Sequence, residues 1–302
     1  MLHIFDTSGG GIGKQIISTS VAKSIKNKYP DDKLWVITSA PLVYQNISWV
    51  DRVYQIGNTS QLYQFMLDEA KGNNNINFFK SEPYYHKDYI SGRKHIIEAW
   101  HEQLNLELTG SPTIELNENE IKGAKNYLTK VFKGKIIGIK TVGGAYNKEG
   151  KVKNYYRDLN QVVAQEVVDK LKDKYGFVNL INGVVEPKLG GALNFDRTDL
   201  RQCFAILDNC DLVVTIDTYS LHAAYALNKP TIAIWGATNP KTLGYIEHTN
   251  LVKNACPTPS CGRPNSYLSD TNPDNSPWTC PYGAKCLDFT SDEMIEKIEE
   301  KI

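Results

Sequence analysis

The segment CDLVVTIDTYSLHAAYALNKPTIAIWGATNP, residues 210–240, gathers polar side chains just where an apolar run ends. Asp217, Thr218, Ser220 and His222 follow DLVVTI, which reads as a buried strand, and they lead into a short helix predicted over Leu221 to Leu227. Open α/β sheets place ligands at the carboxyl ends of their strands, and hydroxyls beside free N–H groups at a helix start suit a phosphate. Asp217 fits the positive end of that helix equally well as an N-cap. His222, amid Leu221, Ala223 and Ala224, is either a ligand-facing group or a buried, hydrogen-bonded one.

A second concentration is TSGGGIGKQ, residues 7–15, directly after the strand run HIFD. A P-loop needs glycine at position 8 and Ser or Thr at position 15, where this chain has Ser8 and Gln15. The dinucleotide fingerprint fails too, because no G-x-G-x-x-G register fits Gly9, Gly10, Gly11 and Gly13. What remains is a tight βα turn, or a loop at which Gly11 and Gly13 let a sugar or acceptor approach the backbone.

The third is a set of cysteines: Cys256-x₄-Cys261, eighteen residues, then Cys280-x₅-Cys286. Four thiolates at such spacing suit a closed tetrahedral site for Zn²⁺ or one Fe ion, and metal would order a Pro/Asn-rich stretch that has almost no apolar periodicity. Two disulfides are the alternative. Cys203 and Cys210, among Phe204, Ile206 and Leu207, read as packed core thiols.

The elements that position these groups alternate in a βαβ rhythm. LHIF (2–5), KLWVIT (33–38), RVYQI (52–56) and INFF (76–79) form one set of strands, and KIIGIK (135–140), GFVNLI (176–181), DLVVTI (211–216) and TIAIWG (231–236) a second. Asn117 and Glu120 make a capping box opening a helix that Gly134 stops, so the first domain is expected over 1–133 and the second over 134–289, with the cysteine insert at 256–286. Thr290 and Glu293 open a last helix, 290–302, expected to pack back on the first domain through Met294, Ile295, Ile298 and Ile302. The chain of 302 residues balances 34 Lys+Arg against 34 Asp+Glu, which removes any global basic field for nucleic acid or anionic membrane. No apolar stretch approaches the ~20 residues a membrane span needs, and no charged-then-apolar leader precedes HIFD, so a cytoplasmic location is expected.

DTYSLHAAYALNKPTIAIWGAT resembles the hallmark of the family 9 glycosyltransferases, typified by the lipopolysaccharide heptosyltransferases: roughly D-T-G-x-x-H-x-A-A-A-L-x-K-P, a strand, then G-x-T, with Tyr219 here in place of the glycine. The first glycine loop and two equal α/β halves are similar as well; the resemblance is dense over 135–240 and loose over 1–130. It implies a GT-B fold, two facing Rossmann-like doubly wound domains, with a nucleotide-diphosphate sugar on the second domain and the acceptor on the first. Asp217, Thr218, Ser220 and His222 would then line the donor, Thr141, Gly143 and Gly144 would cradle its phosphate, and Lys153, before Tyr155, would neutralise the diphosphate, with Lys148 and Lys151 as alternatives. The four-cysteine stretch resembles the iron finger of heptosyltransferases acting on autotransporter proteins.

One position departs from the pattern. Lys14 stands where the family has its catalytic aspartate, and an ammonium of ordinary pKa does not take a proton at neutral pH. Asp6 is the expected replacement, with Lys14 holding it ionised or binding an anionic acceptor; Glu82, His86, His95 and Glu98 are rivals. The function expected is inverting sugar transfer, with His222 and the helix start stabilising the leaving diphosphate. A glycan, a protein hydroxyl or a modified nucleobase fits as acceptor, and an oligomer is left open. A non-catalytic sugar-nucleotide binder is the first alternative. A P-loop ATPase using GGGIGK with LVVTID as its Walker-B-like strand is the second, and Gln15 argues against it.

Overall fold

The structure is a computed structural model and describes residues 1–57, 59–71, 75–143, 157–181, 186–196, 199–257, 261, 280 and 282–302. The first half runs β1 (Leu2–Asp6), α1 (Ile12–Lys28), β2 (Lys33–Thr38), β3 (Arg52–Gln55), α2 (Thr59–Ala70), β4 (Ile76–Lys80), α3 (Lys87–Ile90), α4 (Ile96–Gln103) and α5 (Glu118–Val131). The second runs β5 (Ile136–Lys140), α6 (Gln161–Leu171), β6 (Gly176–Ile181), β7 (Leu193–Asp196), α7 (Leu200–Asp208), β8 (Leu212–Ile216), α8 (Tyr219–Ala226), β9 (Thr231–Trp235), α9 (Pro240–Leu243), β10 (Thr249–Val252) and α10 (Ser291–Lys301).

Two all-parallel sheets result, of order β3-β2-β1-β4 and β10-β9-β8-β5-β6-β7. The central strands β5, β8 and β9 are buried along their whole length, as continuous apolar runs covered on both faces must be. In the first sheet the chain steps outward from β1 to β3 and then returns to the other side of β1 as β4. In the second it steps from β5 to β7 and then returns to the other side of β5 as β8. Each reversal opens a crevice at the strands' carboxyl ends.

Helix α1 joins the two halves by packing on α8, and α5 does so by packing on α7. A helix squeezed in this way keeps little solvent face before its last turn, and Lys14, Gln15, Ser18, Thr19, Ser20 and Ser24 of α1 are all buried. The hydroxyls of Ser18, Thr19 and Ser20 donate back to carbonyls three residues earlier, so their burial leaves no donor unmet. The main apolar core runs through both contacts, from Phe5, Ile16 and Trp100 to Phe204, Tyr219 and Leu221.

Three features differ from the sequence reading. The edge strands β7 and β10, four residues each, were not foreseen. The helix after DLVVTI starts at Tyr219 rather than Leu221. The last helix, α10, does not return to the first domain: it lies on α6, with Met294 and Ile298 in the core of the second domain and Lys174 paired to Glu299 at 2.7 Å. Its apolar stripe needed a surface, and α6, beside it in the same domain, supplies one.

Candidate active site at two facing crevices

In the second domain the crevice lies between β5 and β8. The loop Thr141 to Gly143 leaves β5, and Gly143 comes within reach of Ile216, the Asp217 carbonyl and the Arg157 guanidinium. Arg157 donates to the Asp217 carbonyl at 3.3 Å and faces its carboxylate at 3.5 Å, which puts a cation beside the start of α8. Thr218 is the N-cap of α8, not Asp217, and its side chain makes no capping bond, so the helix presents its first N–H groups unclaimed by a side chain. Asp158 accepts from the Gly143 N–H at 2.7 Å through one oxygen, while its other oxygen is buried without a donor, as is the Thr238 hydroxyl beyond β9. Burial drives the Asp158 carboxyl up to about 7 against the opposing pull of Gly143, Arg157 and Lys140.

In the first domain the crevice lies between β1 and β4. Gly9 and Gly10 turn the chain with φ of +94° and +79°, and a Cβ at Gly10 would strike the Lys14 side chain at 2.6 Å. Gln15 stitches this turn: its amide donates to the carbonyls of Thr7 and Gly9 at 2.8 Å each and accepts from the hydroxyls of Thr7 and Thr38. The residue that a P-loop would use for magnesium is thus spent on the loop itself. Lys14 does not meet Asp6. Its side chain, 1% exposed, pairs with Glu82 at 2.7 Å and lies over the Trp100 ring. Asp6 instead pairs with Lys80 at 2.6 Å and accepts from the Ser8 N–H. Burial works against the Asp6 carboxylate, but Lys80 and Ser8 outweigh it and hold the group below its ordinary range.

The crevices meet at Gly13 and His222. A Cβ on Gly13 would lie 2.7 Å from His222 Cδ2, so glycine is what allows α1 and α8 to touch here. His222 Nδ1 shares a hydrogen bond of 2.8 Å with the Tyr245 hydroxyl. Around Tyr245 gather His95 from the first domain and Tyr225 and His248 from the second, with Tyr225 stacked on it at 3.7 Å. Burial pushes His222 down to about 4, Asp217 opposing and His95 and His248 adding to the shift, and burial likewise pushes His248 to about 4. Both are neutral imidazoles at pH 7. His222 therefore offers a hydrogen-bonding group to the cleft and not a positive charge.

Of the expected donor residues, Thr141, Gly143, Asp217, Thr218 and His222 lie at the same crevice, and Gly13 abuts His222 from the first domain, whereas a Cβ at Gly11 would meet nothing within 4 Å. Ser220 is in place, but its hydroxyl is shared with Thr215 at 2.6 Å inside the core, which leaves its backbone N–H for a ligand. Gly144, Lys148, Lys151, Lys153 and Tyr155 lie outside the described residues. Cys256, Cys261 and Cys280 all act on Cys286: burial first, then these three thiols, raise it to about 11. Among the described residues the His/Cys/Asp/Glu group whose ligand atoms lie within 4.8 Å of one another is His86, Asp88 and Glu102, and its acids are already bound to Arg93 and Lys94. Cys203 and Cys210 are buried in the core, with Cys210 pushed up to about 12 by burial.

With this geometry in view, residues 194–267 match the model of glycosyltransferase family 9 (heptosyltransferase). That stretch, about a quarter of the chain, is what is similar in sequence to the family. No curated protein matches it in sequence. Among solved structures it resembles ADP-heptose LPS heptosyltransferase II of E. coli, at 14% identity and a TM-score of 0.68 over 99% of this chain and 98% of that one. A family 9 glycosyltransferase from Veillonella parvula gives 13%, 0.67, and coverages of 99% and 96%. TibC, an iron-containing dodecameric glycosyltransferase of enterotoxigenic E. coli, gives 14% and 0.67, with coverages of 99% and 75%. The fold is accordingly GT-B, two facing parallel-sheet domains, over essentially the whole chain. No helix of the described residues is long and apolar enough to cross a membrane.

The match over residues 194–267 accounts for the dense reading around Asp217 to His222, and the geometry of the crevices marks what that reading missed. Arg157, Asp158 and Tyr245 enter the crevice from outside the motif, with no spacing signal of their own. Lys80, at the end of β4, was missed as the partner of Asp6, and Glu82, two residues further on and named only as a rival base, was missed as the partner of Lys14. Their clue was topological: β4 returns beside β1.

Proposed function

We propose that the chain is an inverting glycosyltransferase moving a sugar, a heptose by analogy with the similar structures, from a nucleotide-diphosphate donor to an acceptor hydroxyl in the cytoplasm. The facing crevices carry this reading, because one offers an anion cradle and the other, across Gly13 and His222, offers carboxylates. The cradle consists of the α8 N-terminus, Thr141, Gly143, the Thr218 hydroxyl and the Arg157 guanidinium, with Asp217 orienting Arg157; Lys153 and Gly144 complete it in the proposal. As the anomeric C–O bond breaks, charge accumulates on the diphosphate, and fixed N–H groups and a cation stabilise it without reorganising. Neutral His222 contributes a hydrogen bond.

A thermal-shift panel of ADP-, GDP-, UDP- and CDP-sugars tests this. ADP-heptose is expected to raise Tm according to RT ln(1 + [L]/Kd), and Arg157→Ala to weaken that by about tenfold in Kd, roughly 1.4 kcal/mol. No stabilisation by any of the four classes overturns the reading. Binding of a sugar nucleotide without turnover is a second reading, favoured by Lys14 in the position where the family 9 pattern has aspartate.

The proposal extends to a structural Zn²⁺ or Fe ion on Cys256, Cys261, Cys280 and Cys286, whose sulfurs are near enough to act on one another but are not gathered to within 4.8 Å as ligands would be. Their mutual repulsion at Cys286 is what a shared cation reverses. The ion would fold the insert and take no part in transfer. Metal analysis is expected to return about one ion per chain, lost in Cys280→Ser.

A further inference from the structure

We infer that Glu82 is the catalytic base of the proposed transfer, with Lys14 as its positioning residue; the inference rests on the reading above. Glu82 stands two residues beyond β4, at the crevice where the first sheet reverses direction, beside the glycine turn. Its place is fixed at both ends. Gln103 donates to its carbonyl at 3.1 Å, and the buried Lys14 ammonium grips Oε2 at 2.7 Å from a seat over Trp100. Its other oxygen, Oε1, is shielded from solvent and accepts no hydrogen bond, and the Ser81 hydroxyl and Trp100 Nε1 nearby in the chain and the pairing are likewise unmet. A buried carboxylate oxygen without a donor is costly, and an acceptor hydroxyl supplies the donor that Oε1 lacks. Lys14 adjoins Gly13, whose backbone abuts His222, so Glu82 belongs to the wall that faces the donor cradle.

The rivals are engaged otherwise. Asp6 has Lys80 on one oxygen and the Ser8 N–H on the other. Glu98 accepts from the His95 N–H in the capping box of α4, and His86 and His95 accept from backbone N–H groups through Nδ1 as N-caps, while His95 Nε2 is buried and unmet with its ring against Tyr245. On the first-domain side, among the described residues, Glu82 is the carboxylate that keeps a buried oxygen open.

In the step, Glu82 Oε1 takes the proton of the acceptor hydroxyl as that oxygen bonds to the anomeric carbon from the face opposite the diphosphate. The carbon–oxygen bond to the diphosphate breaks, its electron pair leaves with the phosphate oxygen, and configuration inverts. Protonated Glu82 then returns its proton to water. A lysine at position 14 is thereby compatible with turnover, since the carboxylate comes from the neighbouring strand.

The test follows ADP release from ADP-heptose with water as the acceptor, alongside calorimetric binding of ADP. Glu82→Gln is expected to lower the rate about 100-fold or more with the Kd for ADP within twofold of the parent, and Glu82→Asp to recover part of the loss. Lys14→Met should lower kcat about tenfold with the donor KM unchanged, a split that general loosening of the fold does not produce. Asp6→Asn should stay within a few-fold of the parent. Parent-like release by Glu82→Gln, or the large loss appearing in Asp6→Asn instead, overturns the assignment while leaving the transferase reading intact. A parent chain that binds ADP-heptose and never releases ADP overturns the assignment in favour of the binder, and one that does not bind it overturns the donor reading as well.

Discussion

Asp158 carries the pH dependence of the donor crevice. Burial raises its carboxyl to about 7, so it exchanges its proton across the physiological range, 2.7 Å from the Gly143 N–H that the proposed diphosphate would approach. Added negative charge favours the protonated carboxyl, so ADP should bind more tightly as pH falls from 8 to 6. Asp158→Asn, always neutral, should flatten that profile and tighten binding at pH 8 by about tenfold, one pKa unit's worth of repulsion. Calorimetric titration of ADP at half-unit steps decides it, and equal slopes in both proteins refute the role. The same shift acts on stability. The native carboxyl holds its proton above the unfolded value of about 3.9, so its contribution is full below that pH and is lost as pH rises through about 7. At this scale the sequence exposed residues inside a dense motif, Asp217 and His222 among them. It hid Arg157 and Asp158, and it offered Glu82 only as one rival base, without the Lys14 partner that fixes it.

Helices α1 and α8 set how closely the domains approach, and Gly13 is the contact at which no side chain fits. Gly13→Ala places a methyl 2.7 Å from His222 Cδ2, against a ring held by Tyr245 and the surrounding core. Overpacking of this kind costs ~1–3 kcal/mol, and because the strain falls on the hinge of both crevices, Tm and donor affinity should drop together; an unchanged Tm would show that the helices separate freely. Tyr245→Phe probes the other side of the ring. It leaves His222 Nδ1 buried without its partner, at about 1–3 kcal/mol in chemical denaturation. Element identity was largely legible, since the capping boxes at Asn117–Glu120 and Thr290–Glu293 form as their sequences imply. Docking was not. The stripe on α10 specifies that an apolar surface is needed, without saying whether α6 or the first domain provides it, and LNFD and TNLV in β7 and β10 are too short and too weakly apolar to announce edge strands.

The molecule as a whole is closed over buried histidines. His222, Tyr245, Tyr225 and His248 meet His95 across the boundary between the halves, and burial lowers all three imidazoles, two of them to about 4, with Asp217 alone pulling His222 upward. In the unfolded chain each titrates near ~6.5. Between about pH 4 and 6.5 the unfolded state therefore binds more protons than the native one, so stability is complete above that window and declines as the pH falls through it. The limit is on the order of 3 kcal/mol for each of the two fully shifted rings. Because these rings seal the contact between domains, acid should act there first. Calorimetry from pH 7.5 to 4.5 should show Tm falling below pH 6.5 with uptake of one to two protons on unfolding, as expected for about two histidines, and small-angle scattering should show the particle widening before secondary structure is lost. His248→Gln, which keeps hydrogen-bonding capacity and removes one titrating ring, should reduce the slope by about one proton. A flat Tm across this range, or loss of helix ahead of any widening, would mean that the contact is held by the α1–α8 and α5–α7 packing and that the histidines only ride on it.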